Sequence, residues 1–333
     1  MKKGMIRLNQ ADAKTVLVTI PERLIDKKRF TDAAPGFRFI FEEKPGAMEL
    51  AQAEILIGEA SPEQIKSAGK LEWYQSVSAG VDSLINAPGF PAHILLTNMS
   101  GAFGPSISEY VLAMIFTLYK KLNLYRDQQN QGIWRDCGRE GGVTGRKVLI
   151  VGAGDIGHAV AVQMKKFDSY NIGIRRVPRK FEACFDEMRT MEALDALLPD
   201  ADIVVLCLPN TKETKGLMDG RRIGLMKPDA LLINVGRGSL IDTDALCRAL
   251  EQERIGGAAM DVTDPEPLPQ GHPLWKCRNA VITPHITGMC YDHLEQTLQR
   301  SIAICVDNLN RFATGRQLRN RVDLRTGYRK TEI

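Results

Sequence analysis

Four apolar residues, Val148 to Val151, run directly into Gly152-Ala153-Gly154-Asp155-Ile156-Gly157. No other stretch constrains the fold as tightly. The apolar run reads as a buried strand, and a helical segment, His158 to Lys166, follows the glycines. Gly152 permits a tight turn, and Gly154 lets a pyrophosphate approach the backbone. Gly157 lets the helix lie close on the strand, and the helix N-terminus favours an anion. A GxGxxG alone says little. Between strand and helix it predicts a dinucleotide-binding βαβ unit, with Gly152, Gly154, Asp155, Ile156 and Gly157 at the cofactor.

More strand-sized runs lie on either side. Before the motif they are Thr15 to Ile20, Phe37 to Phe41, Glu54 to Gly58, Trp73 to Val77 and Ile94 to Asn98. From the motif onward they are Lys147 to Val151, Asn171 to Ile174, Ile203 to Leu208, Ala230 to Val235, Gly257 to Asp261 and Ala280 to Thr283. Helix-length segments separate them, which implies parallel sheets with crossover helices, hence an α/β fold. A chain of 333 residues favours two domains over one. Asn98 to Pro105 is rich in Gly, Ser and Pro and reads as a hinge. Ser108 to Leu124 and Asp292 to Arg311 read as long helices.

Composition excludes several classes. Lys and Arg exceed Asp and Glu by 44 to 40, too few and too dispersed for a nucleic-acid footprint. The Arg-rich tail, Arg311 to Arg329, reads as solvated surface. No apolar run reaches the ~18 residues of a membrane span. No apolar stretch follows the basic Met1-Lys2-Lys3-Gly4 start, so no secretory signal is expected. Seven scattered cysteines without a CxxC pair fit reduced thiols and a cytoplasmic setting, some in core positions such as Cys207. No cluster has metal-ligand spacing, and no metal is expected.

The strand after the glycine motif normally ends on an acid that accepts bonds from the adenosine ribose. Here it ends Ile174-Arg175-Arg176-Val177-Pro178-Arg179, with Arg175 at the expected place of the acid. A guanidinium cannot accept those bonds, but it pairs with a 2′-phosphate. No Asp or Glu stands nearby in the sequence. The cofactor is therefore expected to be NADP(H) in preference to NAD(H), with Arg175 and Arg176 at the phosphate.

Three later strands end in Asn234-Val235-Gly236-Arg237-Gly238, in Asp261-Val262 leading to Pro265-Glu266-Pro267-Leu268-Pro269, and in Thr283-Pro284-His285. Open α/β sheets bind ligands at such carboxyl ends. With Leu208-Pro209-Asn210-Thr211, Ser108-Glu109-Tyr110 and Asn320-Arg321-Val322-Asp323, in this order, the chain resembles the D-isomer-specific 2-hydroxyacid dehydrogenase family. The likeness is to its glyoxylate, hydroxypyruvate and phosphoglycerate dehydrogenase branches. It covers most of the chain from Ser76 onward.

The resemblance implies a Rossmann cofactor domain, residues 105–293, inserted into a flavodoxin-like substrate domain, residues 1–104 and 294–333. The active site would lie in the cleft. It implies catalysis by Arg237, Glu266 and His285 on a 2-keto acid reduced to a D-2-hydroxy acid. A protonated imidazole supplies the proton, a carboxylate beside it orients the ring, and Arg237 holds the substrate carboxylate and polarises the carbonyl. Ser78, Ala79, Gly80 and Val81 correspond to a loop whose N–H groups receive the substrate carboxylate. Asp261 corresponds to a nicotinamide contact, and Val235, Leu208 and Pro209 to backbone lining the cofactor. The helix from Ser108 corresponds to the family's dimer-forming element, so a homodimer is expected. The alternative is a nicotinamide-sensing, corepressor-like regulator of the same fold. Met289-Cys290-Tyr291 departs from the family pattern after His285 and leaves the particular keto acid open. Trp134 and Trp275 are given no role beyond packing.

Overall fold

The computed structural model describes residues 13–176, 183–288 and 294–330. Pro178, Arg179, Met289, Cys290 and Tyr291 lie outside that set, as does the expected helix start at Asp292. The chain divides into two compact units, Met1–Ala102 with Cys290–Ile333, and Phe103–Met289.

The first unit holds β1 (Thr15–Val18), β2 (Arg38–Phe41), β3 (Ile55–Gly58), β4 (Trp73–Ser76) and β5 (Leu95–Thr97) in one parallel sheet. Their order is β2-β1-β3-β4-β5, the flavodoxin-like arrangement. β1, β3 and β4 are buried along their whole length, as the apolar runs require of strands covered on both faces. Helix Glu295–Ala313 returns to this unit. Phe312 stacks on Trp73 with centroids 5.2 Å apart. Asn308 Nδ2 donates to Gln75 Oε1 at 2.8 Å, and the same oxygen accepts from Thr97 Oγ1 at 2.8 Å. Trp73 Nε1 donates to Thr97 Oγ1 at 2.9 Å. Burying these polar groups is tolerated because each finds a partner.

The second unit holds β6 (Lys147–Val151), β7 (Tyr170–Ile174), β8 (Glu187–Arg189), β9 (Ile203–Leu206), β10 (Leu231–Asn234), β11 (Gly257–Met260) and β12 (Ala280–Ile282). All pairs are parallel, in the order β12-β11-β10-β9-β6-β7-β8. That is a doubly wound Rossmann sheet, whose order reverses between β6 and β9. The α/β class and the pairing of a flavodoxin-like with a Rossmann sheet agree with the sequence reading. Strand β8 was not anticipated. It has three residues, two of them charged, at a sheet edge, and carries no apolar alternation.

The helix expected over Ser108 to Leu124 is two helices. The first, Gly104–Tyr119, begins earlier and carries Pro105 in its first turn, where the missing N–H is harmless. The chain breaks at Lys121, in the left-handed region at φ 53°, before helix Leu122–Asn130. No Gly or Pro marks the break. Later residues hold it: Gly141 N donates to Tyr119 O at 3.0 Å and Lys121 Nζ to Cys137 O at 2.6 Å. Tertiary contacts here override local propensity.

Asp202, at the entry to β9, ties three segments together. Its carboxylate accepts from Lys147 N at 2.9 Å, Lys227 Nζ at 2.9 Å and Arg146 Nη1 at 3.3 Å. Burial alone would raise its pKa. The Lys147 N–H and the two cations outweigh burial and hold it below the usual value. A depressed folded-state pKa contributes stability above the unfolded value of about 3.9 and loses it as pH falls through the folded value. Asp202→Asn is expected to destabilise the second unit by about 1–3 kcal/mol at neutral pH. In urea unfolding, that deficit should shrink towards zero as the pH drops below the carboxylate range.

Candidate active site

The glycine loop follows β6 at the point where the strand order reverses. Gly152 has φ 107°, and Gly157 lies so close to the turn that a Cβ there would stand 2.4 Å from Gly152 O. Space is open around Gly154, which caps helix Asp155–Lys165 without a side chain. Gly154 and Asp155 are exposed, Ile156 half-buried and Gly157 buried. A tight turn, an approachable backbone and an uncapped helix start fit a dinucleotide pyrophosphate. Leu208 and Val235 bury their side chains, so they can meet a cofactor only through the backbone. Pro209, beside Leu208, is half-buried.

Arg175 and Arg176 stand at the end of β7. Arg175 N donates to Arg189 O of the adjacent β8 at 3.0 Å, which brings a third arginine to this edge. Acids absent from the local sequence do arrive through the fold. Glu187 accepts from Tyr170 OH at 2.6 Å and pairs with Arg189 Nη2 at 2.5 Å. The carboxyl of exposed Glu213 is held below its usual pKa by Thr211 first, and in part by Arg176.

The loops after β10, β11 and β12 interlock. A Cβ on Gly238 would fall 1.9 Å from Thr263 O, so only glycine allows the Arg237 loop to lie on the segment leading to Glu266. Asn234 Nδ2 donates to Arg237 O at 2.9 Å, and Arg237 Nη1 donates to Gly236 O at 2.8 Å. Thr243 Oγ1 donates to Asp264 O at 2.9 Å. Both Asp264-Pro265 and Glu266-Pro267 are cis.

His285 Nδ1 lies 2.6 Å from Glu266 Oε1, with both side chains 43% exposed. A carboxylate can only accept here, so Nδ1 carries the proton and Nε2 is left as the exchanging nitrogen. His285 has φ 53°, and its N–H donates to Asp261 O at 2.8 Å. Asp261 is 1% exposed. Its Oδ1 accepts from Thr283 Oγ1 at 2.6 Å and Ile286 N at 3.0 Å. Its Oδ2 accepts from Thr287 N at 3.1 Å and Thr287 Oγ1 at 2.5 Å. Tyr110 OH lies 2.6 Å from Thr283 Oγ1, and burial pushes the Tyr110 hydroxyl up to about 12. The network joining Asp261, Thr283 and Tyr110 was missed from sequence. Nothing in the linear order pairs a Tyr on an early helix with a strand end 173 residues later.

In the first unit, the loop after β4 carries Ser78, Ala79, Gly80 and Val81. Ser78 N donates to Ser76 Oγ at 3.1 Å, and Val81 is buried in the core. Ala79 and Gly80 are half-exposed. Neither expected packing tryptophan is a core residue. Trp134 is fully exposed, on a segment outside any helix or strand. Trp275 is half-exposed, and its Nε1 donates to Pro269 O at 2.9 Å, just beyond the Glu266 loop.

Residues 112–287 match the family model described as D-isomer specific 2-hydroxyacid dehydrogenase, NAD binding domain. A glyoxylate/hydroxypyruvate reductase A from Serratia proteamaculans is 30% identical over 277 residues, 80% of this chain and 84% of that protein. The crystal structure of a D-isomer specific 2-hydroxyacid dehydrogenase family protein from Aeromonas salmonicida is 34% identical. It covers 94% of this chain and 100% of its own, with a TM-score of 0.80. A D-isomer specific 2-hydroxyacid dehydrogenase from Xanthobacter autotrophicus, solved with NADPH and MES, is 26% identical. It covers 95% of this chain and 100% of its own, with a TM-score of 0.78. Motif order, the two sheet topologies and these likenesses converge: the chain belongs to the D-isomer-specific 2-hydroxyacid dehydrogenase family, a class of nicotinamide-dependent oxidoreductases.

Proposed function

We propose that this chain reduces a small 2-keto acid, of the glyoxylate or hydroxypyruvate kind, to a D-2-hydroxy acid with NADPH preferred over NADH. The observation that carries the reading is the contact between His285 Nδ1 and Glu266 Oε1, on loops that interlock with the one bearing Arg237. The glycine turn and helix start at Gly152 to Gly157 would hold the dinucleotide, whose nicotinamide supplies the hydride. Arg237 would bind the substrate carboxylate and draw electron density from the carbonyl. The Ser78 to Val81 loop is assigned to substrate binding, as the family resemblance implies. His285 Nε2 would deliver a proton to the carbonyl oxygen and, in the reverse direction, take it from the hydroxyl. Glu266 keeps the ring oriented through Nδ1. Asp261, whose carboxylate is already engaged by four donors, is assigned to building the His285 turn; a cofactor contact there would go through its surroundings.

The NADP preference rests on Arg175 and Arg176, with no acid at the end of β7 itself. The NADPH complex of the Xanthobacter relative supports it. The homodimer is assigned to the segment after helix Gly104–Tyr119. Leu122, Ile133 and Trp134 are exposed there, beside a cavity of about 690 Å³ lined in part by Tyr125, Gln128 and Gln129. Apolar residues presented together mark an interface more than a solvated surface. No helix among the described residues is long and apolar enough to cross a membrane. Scattered cysteines without paired spacing support the cytoplasm as the compartment.

Three experiments test these assignments. His285→Gln should lower kcat/KM for glyoxylate and hydroxypyruvate about 10²–10⁴-fold while cofactor binding, followed by NADPH fluorescence, stays intact. Unchanged turnover would remove His285 as the acid, and wild-type protein that binds NADPH without turning over any keto acid would favour the regulator. Arg175→Ala should cut the NADPH-to-NADH ratio of kcat/KM at least about tenfold, or ~1.4 kcal/mol. A ratio that does not move would place the preference elsewhere. Trp134→Ala should weaken self-association by about 2 kcal/mol or more, read by sedimentation equilibrium, if that segment is the dimer contact.

A further inference from the structure

Away from the strand-end loops, the second unit gathers three metal-ligand side chains at one point. Cys247 and Glu251 stand four residues apart on helix Thr243–Glu251 and so share a face. Cys277 closes the short turn Pro273–Lys276. The two Sγ atoms are 3.7 Å apart, and Cys247 Sγ is 3.7 Å from Glu251 Oε1. All three donor atoms lie within 4.8 Å of one another. Both cysteines are buried and Glu251 is exposed, so the cluster has a closed thiol side and an open carboxylate side.

A tetrahedral zinc ion with Zn–S bonds of about 2.3 Å sets its two sulfurs about 3.8 Å apart, and a sulfur and a carboxylate oxygen about 3.5 Å apart. The Cys247–Cys277 and Cys247–Glu251 separations fall within a few tenths of an ångström of those values. Pro273 O, 3.9 Å from Cys277 Sγ, adds a neutral oxygen beside the same point.

We propose that Cys247, Cys277 and Glu251 form a binding site for a thiophilic divalent cation of the zinc type, with water or the Pro273 carbonyl in the fourth position. Binding is an exchange without electron transfer: two metal–sulfur bonds form as two S–H protons leave to solvent. Thiolates select such a cation over magnesium or calcium. No CxxC spacing announces the site, because the cysteines are 30 residues apart in sequence. The ion would be structural. It would fasten the helix that follows the Arg237 loop to the segment between Glu266 and His285.

The test uses the full chain, reduced, stripped with a chelator and kept free of oxygen. Cd²⁺ is added and the ultraviolet thiolate-to-cadmium charge-transfer band is followed together with proton release. The expected result is saturation at one equivalent, two protons released per ion, and loss of the band when Zn²⁺ competes. Cys247→Ser should abolish the band. Glu251→Gln, at an exposed position that leaves the fold undisturbed, should weaken Cd²⁺ binding at least tenfold. The proposal is overturned by absence of the band in the wild type, by a band that survives Cys247→Ser, by unchanged affinity in Glu251→Gln, or by mass spectra showing Cys247 and Cys277 joined as a disulfide in the protein as isolated.

Discussion

Asp261 lies at the end of β11 with its carboxylate out of water, and all four of its donors come from Thr283 to Thr287. A buried carboxylate without partners would cost several kcal/mol. Satisfied this way, it dictates the path of the chain beyond β12. That path takes His285 through φ 53°, a conformation that costs an ordinary residue on the order of 1–2 kcal/mol. The direction of the imidazole is thus set by the neighbouring strand more than by its own. Through Thr283 the constraint reaches Tyr110 and the helix Gly104–Tyr119, so the ring is referred to the body of the unit. Gly238 does the equivalent for Arg237, since its missing side chain lets two strand-end loops touch.

Much of this was readable from the chain because its signals are local. The buried strands are continuous apolar runs, and the glycine motif fixes a turn that only one arrangement satisfies. The parallel pairing in both sheets follows from the crossovers once the strands are found, and the two sheet types follow from the family resemblance. Strand β8 escaped because an edge strand of three residues has little to bury. The break at Lys121 escaped because Gly141 and Cys137, far along the chain, hold it. The residues of the candidate site were legible as types at strand ends. Their couplings were not, since hydrogen bonds such as Thr283 to Asp261 are made between strands and leave no spacing behind. The same holds for Cys247 and Cys277, and for Glu213, which approaches Arg176 through space.

The arginine edge shows how charge is apportioned. Glu187 engages Arg189 and Tyr170 on β8, which sets one cation and one acid against each other beside Arg175. A guanidinium held by a carboxylate is a poorer partner for a further anion than one without such a neighbour. If this edge discriminates between cofactors as proposed, the discrimination depends on which arginines are already engaged as well as on how many are present.

Helix Glu295–Ala313 belongs to the first unit, where Phe312 lies on Trp73 and Asn308 completes the bonding of Gln75. The consequence concerns the order in which the protein is made. As the chain leaves the ribosome, β1 to β5 emerge before the helix that covers one of their faces and before Asn308, the second donor to Gln75 Oε1. The second unit is contiguous in sequence and can close while synthesis continues. Strands β1 to β5 therefore wait for a helix that is made only after the whole of the unit inserted between them.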